Sequence, residues 1–265
     1  MSEQAVDLEV KGRAMHEALA THWPEYLMEA AELGLFMISA CVFVVLLGYP
    51  RSPVHELIAD PLARRLLIGI AMGLTAIAIV YSPLGQRSGA HFNPAVTCAD
   101  ASQGGLPWSE VPGYVLAQLA GGFVGVAVAH FMFEEHALFF ASQHTRTGAA
   151  QWLSEFVATF GLLSVIWGCA RRRPGSVPFA VGAYITAAYW FTSSTSFANP
   201  AVTLARAASD TFAGIRPVDA PAFIVAQLLG AAAATWLFRW LVPALPLTAA
   251  TVADRVDRVD REELA

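Results

Sequence analysis

Apolar residues in this chain gather into six long runs, separated by short breaks rich in polar residues, proline or glycine. The runs cover residues 26–49, 66–82, 113–133, 153–170, 177–192 and 221–242. Each approaches or reaches the roughly 20 residues that a helix needs to cross a bilayer. Glycine and alanine recur inside them, which lets membrane helices approach closely. The pattern predicts an all-α integral membrane protein with six transmembrane helices. Residues 1–24 mix charged and apolar positions without the continuous apolar core of a signal peptide, and are expected to form a cytoplasmic N-terminal segment. Residues 25–243 then form the membrane domain, and 244–265, with "ADRVDRVDREELA", a solvated cytoplasmic tail.

The runs repeat. "YLMEAAELG" (26–34) echoes "WLSEFVATFG" (152–161), pairing Glu29 with Glu155. "FNPAVT" (92–97) echoes "ANPAVT" (198–203), and "YVLAQLAGG" (114–122) echoes "FIVAQLLGA" (223–231), pairing Gln118 with Gln227. Repeat one is residues 25–133 and repeat two 152–243. Each holds three full spans, an odd number, so the second repeat enters the membrane from the opposite side. Such inverted repeats are a plan of membrane proteins whose solute site lies at the midplane between the halves.

The two Asn-Pro-Ala segments, Asn93-Pro94-Ala95 and Asn199-Pro200-Ala201, are too short to span. From Asn93 to the breaker Gln103-Gly104-Gly105, and from Asn199 to Asp210, there is room for about ten residues, a helix of roughly 15 Å. Asn is a favoured N-cap and Pro a favoured first helical residue, so each asparagine is expected to start a re-entrant half-helix. An isolated Asn-Pro is more often a capped helix on a surface loop. Here the two occupy matching places in a repeat, and non-helical backbone at membrane depth is tolerated only when buried in protein or lining a cavity.

Composition agrees with a membrane protein. The chain is 56% hydrophobic and 14% charged, with a mean hydropathy of +0.51, against about 25% charged in soluble domains. The net charge of −5 says less than where the cations sit. Lys11 and Arg13, the run Arg171-Arg172-Arg173, and Arg255, Arg258 and Arg261 fall at one side of a six-span topology. Cytoplasmic loops are enriched in Lys and Arg, which places both termini in the cytoplasm, although Arg51, Arg64, Arg65, Arg146 and Arg216 fall on the other side. Cys41, Cys98 and Cys169 lack metal-ligand spacing and read as apolar filler. His130, His136 and His144 surround a polar loop without ligand spacing and read as solvated. No nucleophile–base pair and no phosphate-binding glycine loop suggests an enzyme, and neither a cofactor, a metal nor a nucleic-acid partner is expected.

With its paired Asn-Pro-Ala segments and its Glu and Gln echoes, the chain resembles the aquaporin, or major intrinsic protein, family over roughly residues 25–243. The resemblance implies six tilted helices and two half-helices around one pore per subunit, assembled as a homotetramer in the cell membrane. It implies passage of water and small neutral solutes. It also implies a selectivity filter at the outer mouth, where water-specific members carry a bulky aromatic, a His, a small residue, and an Arg after the second Asn-Pro-Ala.

This sequence departs from that filter. The residue after Ala201 is Val202, so the arginine is absent. The other positions are Met72 through "GLT" (73–75), or Gly73 by simple spacing from Asn93; Ser196; and Ala187 by spacing, or Tyr189 if the helix is shifted. A wider, more apolar filter favours larger neutral solutes such as glycerol, urea or metalloid hydroxides. Glycerol-conducting members retain the arginine, whereas some bacterial members with an apolar residue here are linked to metalloid passage. Arg206, one turn beyond Val202, is expected either to restore positive charge at the outer mouth or to satisfy carbonyls at the end of its half-helix.

Glu29 and Glu155 lie in apolar helices, where an ionisable group is a functional candidate. As proton relays they would make the protein a proton-coupled secondary transporter. As acceptors for the Asn-Pro-Ala loop backbone they would be structural, the reading the resemblance favours, with Glu32 an alternative carboxylate. Gln118 and Gln227 are expected to bond between helices, and His91 to pin its loop.

Overall fold

The computed structural model describes residues 12, 19–135 and 137–241. Six long helices carry the structure: α1 (Trp23–Gly48), α3 (Pro61–Tyr81), α6 (Val111–Met132), α7 (Ala149–Arg172), α8 (Val177–Phe191) and α10 (Ala220–Leu241). Two short buried helices, α5 (Pro94–Ser102) and α9 (Pro200–Arg206), follow the second and fifth of them. Two further short pieces, α2 (Pro53–Leu57) and α4 (Pro83–Ser88), lie in connections of the first repeat. The order long, long, half, long therefore occurs twice, as the sequence repeat requires. The tail 244–265 and most of the segment 1–24, including Lys11 and Arg13, lie outside the described residues.

Proline punctuates these elements. It occupies the first turn of α1, α3, α5, α6, α8 and α9, where its missing N–H would be unpaired anyway and its fixed φ suits the helix. Asp60 caps α3 by accepting the Leu62 N–H at 2.9 Å. Prolines also end α1 and α3, because the residue before a proline is pushed to extended backbone. Tyr49 and Ser82 accordingly have ψ of 123° and 158°.

Five of the long helices are long and apolar enough to cross a membrane. The sixth, α8, has 15 residues, about 22 Å at 1.5 Å per residue, and a 3-10 turn at Pro174–Ser176 extends it at one end. Large apolar side chains such as Leu116, Val124, Leu153 and Trp236 stand exposed on the outside, a surface suited to hydrocarbon.

Packing joins the repeats into one core. In each repeat the Glu helix packs on the Gln helix, α1 on α6 and α7 on α10, while α3 and α8 pack on each other between repeats. Gly73 and Gly182 allow that last crossing, since a Cβ on either would run into the carbonyl oxygen of the other. The half-helices are exchanged. Ala95, Val96 and Ala99 of α5 are buried among Ala158, Leu162 and Leu163 of α7 and Ala231 and Ala234 of α10. Ala201, Val202 and Ala205 of α9 are buried among Leu33, Met37 and Cys41 of α1 and Val126 and Ala129 of α6. Small side chains let each short helix sit deep in the other repeat's helix pair.

The second half-helix is shorter than its sequence suggested, stopping at Arg206 rather than near Asp210. The Ala207 and Ala208 amides close tighter turns onto Leu204 and Ala205. Their carbonyls accept the Ser142 and Phe140 amides from the loop that joins the repeats, so the chain is drawn out of the helix.

Candidate functional site

Each half-helix begins at an asparagine with two tasks. Asn93 Oδ1 accepts the Ala95 N–H at 2.9 Å, and Asn199 Oδ1 accepts those of Ala201 at 2.9 Å and Val202 at 3.2 Å. These are ordinary N-caps. The amide nitrogens cross to the other repeat: Asn93 Nδ2 donates to the Ala198 carbonyl at 2.8 Å, and Asn199 Nδ2 to the Phe92 carbonyl at 2.7 Å. An amide NH2 has two hydrogens, so each asparagine keeps one N–H beyond this brace. Both asparagines line the same cavity, and Pro94, Ala95, Pro200 and Ala201 are buried behind them.

The backbone entering each asparagine is held in an uncommon form. Ala90, Phe92, Ser196 and Ala198 have φ of 50°, 30°, 53° and 48°, positions three and one before the asparagine in both repeats. Non-glycine residues at positive φ cost on the order of 1–3 kcal/mol each and persist only where the surroundings over-determine them. The Ser88 and Ser194 hydroxyls accept the Ala90 and Ser196 amides at 3.0 and 3.2 Å, and two buried glutamates hold Phe92 and Ala198. Glu29 accepts the His91 and Phe92 amides at 2.8 and 2.6 Å, and Glu155 accepts those of Phe197 and Ala198, both at 2.9 Å. Gln118 donates to Glu29 at 2.7 Å and to Thr97 at 2.9 Å, while Gln227 donates to Glu155 at 2.6 Å and to Thr203 at 2.9 Å. With the N–H groups drawn to the glutamates, the Phe92 and Ala198 carbonyls turn to the asparagines.

Each glutamate thus accepts three N–H donors, the arrangement of a structural anion. A proton relay would need a carboxylate oxygen free to gain a proton, so the coupled-transport alternative finds no support here. Glu32 is the carboxylate with an oxygen to spare: Oε1 accepts from Ser88 at 2.8 Å, and Oε2 is buried without a partner. His91 bears on its loop through its backbone bond to Glu29, and its ring lies 3.7 Å from Asp100 and against Tyr114. It does not line the cavity wall. The Ser88 carbonyl, in the loop before Asn93, accepts the Tyr114 hydroxyl at 2.7 Å.

From the asparagines the cavity runs toward Arg206. Met72, Ser196, Val202 and Arg206 all line it. Gly73, the alternative to Met72, instead makes the α3–α8 crossing. Ala187 is a correction: it is exposed on the outside of α8 and absent from the wall, where Ile185 and Tyr189 stand. Two residues turn a helix by about 200°, so only one of positions 187 and 189 can face the cavity. Phe36 and Phe197 also line it, and neither carried a sequence signal.

Arg206 is buried at 5% exposure. Its Nε donates to the Ala213 carbonyl, beyond its own half-helix, and its guanidinium lies over the Phe197 ring. The carbonyl it holds is therefore not one at the end of its own half-helix, and the side chain stands in the cavity wall. Arg146, which reasoning from sequence missed, lies on the same ring at 4.9 Å and donates to the carbonyls of Gly214, Ser194 and Phe212 at 2.7–2.8 Å. Burial, with the Arg206 charge nearby, pulls the Arg146 guanidinium down to about 9, so it stays charged at neutral pH.

His130 is a second correction. It is buried, bonds the Leu138 carbonyl at 2.7 Å and Ser209 Oγ at 2.9 Å, and stacks on Phe140. It ties the connecting loop to the segment after α9 rather than facing water. His144 is half-buried against Phe212, and His136 lies outside the described residues. Among the described residues no group of His, Cys, Asp or Glu is placed to hold a metal.

The model of the family described as "Major intrinsic protein" matches residues 19–196 and 176–261. An aquaglyceroporin of Rhizobium meliloti (strain 1021) is 53% identical over 179 residues, 67% of this chain and 76% of that protein. Aquaporin NIP3-1 of Arabidopsis thaliana is 32% identical over 210 residues, 74% of this chain and 62% of that longer relative. Among solved structures, the aquaglyceroporin from Plasmodium falciparum superposes with a TM-score of 0.60, covering 84% of this chain and 98% of that one at 21% identity, a likeness of fold.

Proposed function

The chain belongs to the major intrinsic protein family, and from that premise we propose that it is a passive channel for water and small neutral solutes, glycerol-like or metalloid hydroxides among them. The observation that carries this reading is the crossed pair Asn93–Ala198 and Asn199–Phe92 inside a lined cavity. Two half-helix starts meet there, each with partial positive charge from aligned peptide dipoles. The remaining asparagine N–H groups serve a solute oxygen, while a cation or proton meets a positive barrier. Nothing in this route needs an energy source.

We assign the size filter to Met72, Ser196 and Val202, with Tyr189 in the place expected for Ala187. An isopropyl group at position 202 leaves the opening wider and less polar than a guanidinium would. Arg206 then stands at the outer mouth. Residues 25–243 form the channel domain, both termini face the cytoplasm of a cell-membrane protein, and the family resemblance supports a homotetramer with one pore per subunit.

Stopped-flow swelling of proteoliposomes tests the proposal. Water and glycerol fluxes above those of empty vesicles, unchanged by a protonophore, are expected. Absence of both fluxes, or loss of uptake on adding the protonophore, overturns it.

A further inference from the structure

Arg65 stands near the start of α3, where the helix dipole favours anions rather than cations. Its side chain serves another helix. Half-buried, it crosses to the C-terminal end of α8. There Nε donates to the Tyr189 carbonyl at 2.9 Å, and Nη2 to the Thr192 carbonyl at 2.7 Å. The last carbonyls of a helix have no partner within it. α8 is the shortest of the six long helices, so its end falls where unpaired backbone is costly. The neighbouring Arg64 differs. It donates to the Ile58 and Ala59 carbonyls, in the connection before its own helix, at 2.6 and 2.9 Å.

Tyr189, buried in the cavity wall, is held at three points. Arg65 takes its carbonyl. Gly69, one turn along α3 from Arg65, lies so close that a Cβ there would come within 3.2 Å of the Tyr189 Cβ. The Arg206 guanidinium donates to its hydroxyl. The same stretch of α3 sends Ile68 and Met72 into the wall, and Met72 packs in one apolar cluster with Tyr189. Thr192, the second carbonyl on Arg65, opens the segment that leads to Ser196, and Arg146 holds that segment at the Ser194 carbonyl, 2.8 Å away. A rigid planar fork on two carbonyls fixes direction as well as distance.

We propose that Arg65 is a positioning residue for selectivity: it fixes the Tyr189 ring beside Met72 and so holds the mouth at one width. Arg65 itself lies outside the cavity wall and acts through Tyr189. The proposal rests on the channel reading and deepens it. A ring released from its tether samples displaced positions, and the wider ones matter most to a solute that nearly fills the opening. Losing the tether therefore flattens the dependence of flux on solute size.

The test uses proteoliposomes of the full chain and reads the ratio of erythritol flux to glycerol flux. Arg65→Gln should raise that ratio about fivefold, the factor given by about 1 kcal/mol, the net worth of one hydrogen bond. Arg65→Lys should fall between, because it keeps the charge and loses the fork. Arg64→Gln removes the same charge from the next position and should leave the ratio unchanged. In a Tyr189→Ala background the ring is gone, so Arg65→Gln should add no further shift. An unchanged ratio in Arg65→Gln, an equal shift in Arg64→Gln, or a full further shift in the Tyr189→Ala background overturns the proposal. If Arg65→Gln does not assemble, Arg65→Lys decides by the same ratio. If the wild type passes neither water nor glycerol, the channel reading has failed. The tether is then judged separately by amide hydrogen exchange: Arg65→Gln should speed exchange over residues 192–196 and Arg64→Gln should not, and equal exchange in the two variants overturns it.

Discussion

Asp100 and Arg206 hold the same place in the two repeats, seven residues after Asn93 and Asn199, and each lies over the residue two before its asparagine. The Asp100 carboxylate is 3.7 Å from the His91 ring nitrogen, and the Arg206 guanidinium carbon is 3.5 Å from the Phe197 ring centroid. The repeat keeps the geometry and reverses the charge. Because the half-helices run apart from the asparagines, the two groups are separated by roughly 20 Å at 1.5 Å per residue. A double-mutant cycle with Asp100→Asn and Arg206→Gln should therefore show a coupling in unfolding free energy below about 0.5 kcal/mol. A coupling well above that would put both groups in one network and refute their separation.

Glu155→Gln should damage the fold rather than the energetics of transport. The substitution sets an NH2 group against the Phe197, Ala198 and Gln227 donors and removes the acceptor that holds Ala198 at positive φ. Breaking one side of a buried charged network costs about 3–5 kcal/mol. Glu29→Gln should cost a similar amount, since its three bonds match those of Glu155. The check is thermal unfolding in detergent, paired with swelling. A Glu155→Gln protein of wild-type stability that had lost only a proton-dependent uptake would restore the relay reading.

Much of the fold and of the asparagine site was legible because a repeat states each fact twice. The repeat pairs Asn93 with Asn199, Glu29 with Glu155 and Gln118 with Gln227, and in the structure each glutamine bonds the glutamate of its own repeat while each asparagine reaches the loop before the other. The filter was less legible, since a one-residue uncertainty on a helix moves a side chain by about 100°. Met72 was distinguished from Gly73 by local sequence, whereas Ala187 was favoured over Tyr189 by counting alone. Arg146, His130 and the shortened end of α9 left no signal. Their partners are backbone carbonyls and hydroxyls of distant loops, such as Ser194, Phe212 and Ser209, and a carbonyl looks alike at every position in a sequence.

Asn199→Asp should weaken cation exclusion. It keeps the cap oxygen for Ala201 but loses the N–H that braces Phe92, and it places a carboxylate where the two half-helices begin. A negative group there offsets the positive dipole ends. Proton leak in vesicles with an imposed pH gradient should rise, while water flux falls less. Unchanged proton exclusion in a stable Asn199→Asp protein would show that the barrier lies elsewhere.

The loop clamp should fail on the acid side. Asp219, outside the membrane-spanning helices, accepts the Arg146 amide at 2.9 Å and Arg216 at 3.0 and 3.1 Å. Burial pushes its carboxyl up, but the Arg216 bonds and the Arg146 N–H outweigh that and hold it below the usual carboxylate range. A carboxyl held lower in the folded than in the unfolded state gives stability at neutral pH that is lost as pH falls through its folded value. Asp219→Asn should melt lower than wild type at pH 7, and the gap should close below about pH 4. A gap independent of pH would mean that the charge of Asp219 does not hold the loop.

Val202 tests what the second asparagine segment controls. In both repeats the half-helix continues Val-Thr, at Val96-Thr97 and Val202-Thr203, so the cavity wall carries an isopropyl group with Arg206 one turn farther along. Val202→Arg fills space at the constriction and adds a second cation beside the first. Exclusion by size is steep when a solute nearly fills an opening, so glycerol flux should fall far more than water flux in the same vesicles. Loss of both would mean that Met72 and Tyr189 already leave too little room for a guanidinium. The double substitution Val202→Arg with Arg206→Val separates size from charge, because it restores a single cation while keeping the narrow opening. It should recover water flux over the single Val202→Arg protein and still exclude glycerol. Partial losses of water and glycerol in equal proportion in the single variant, or glycerol flux untouched, would show that Val202 does not set the cutoff.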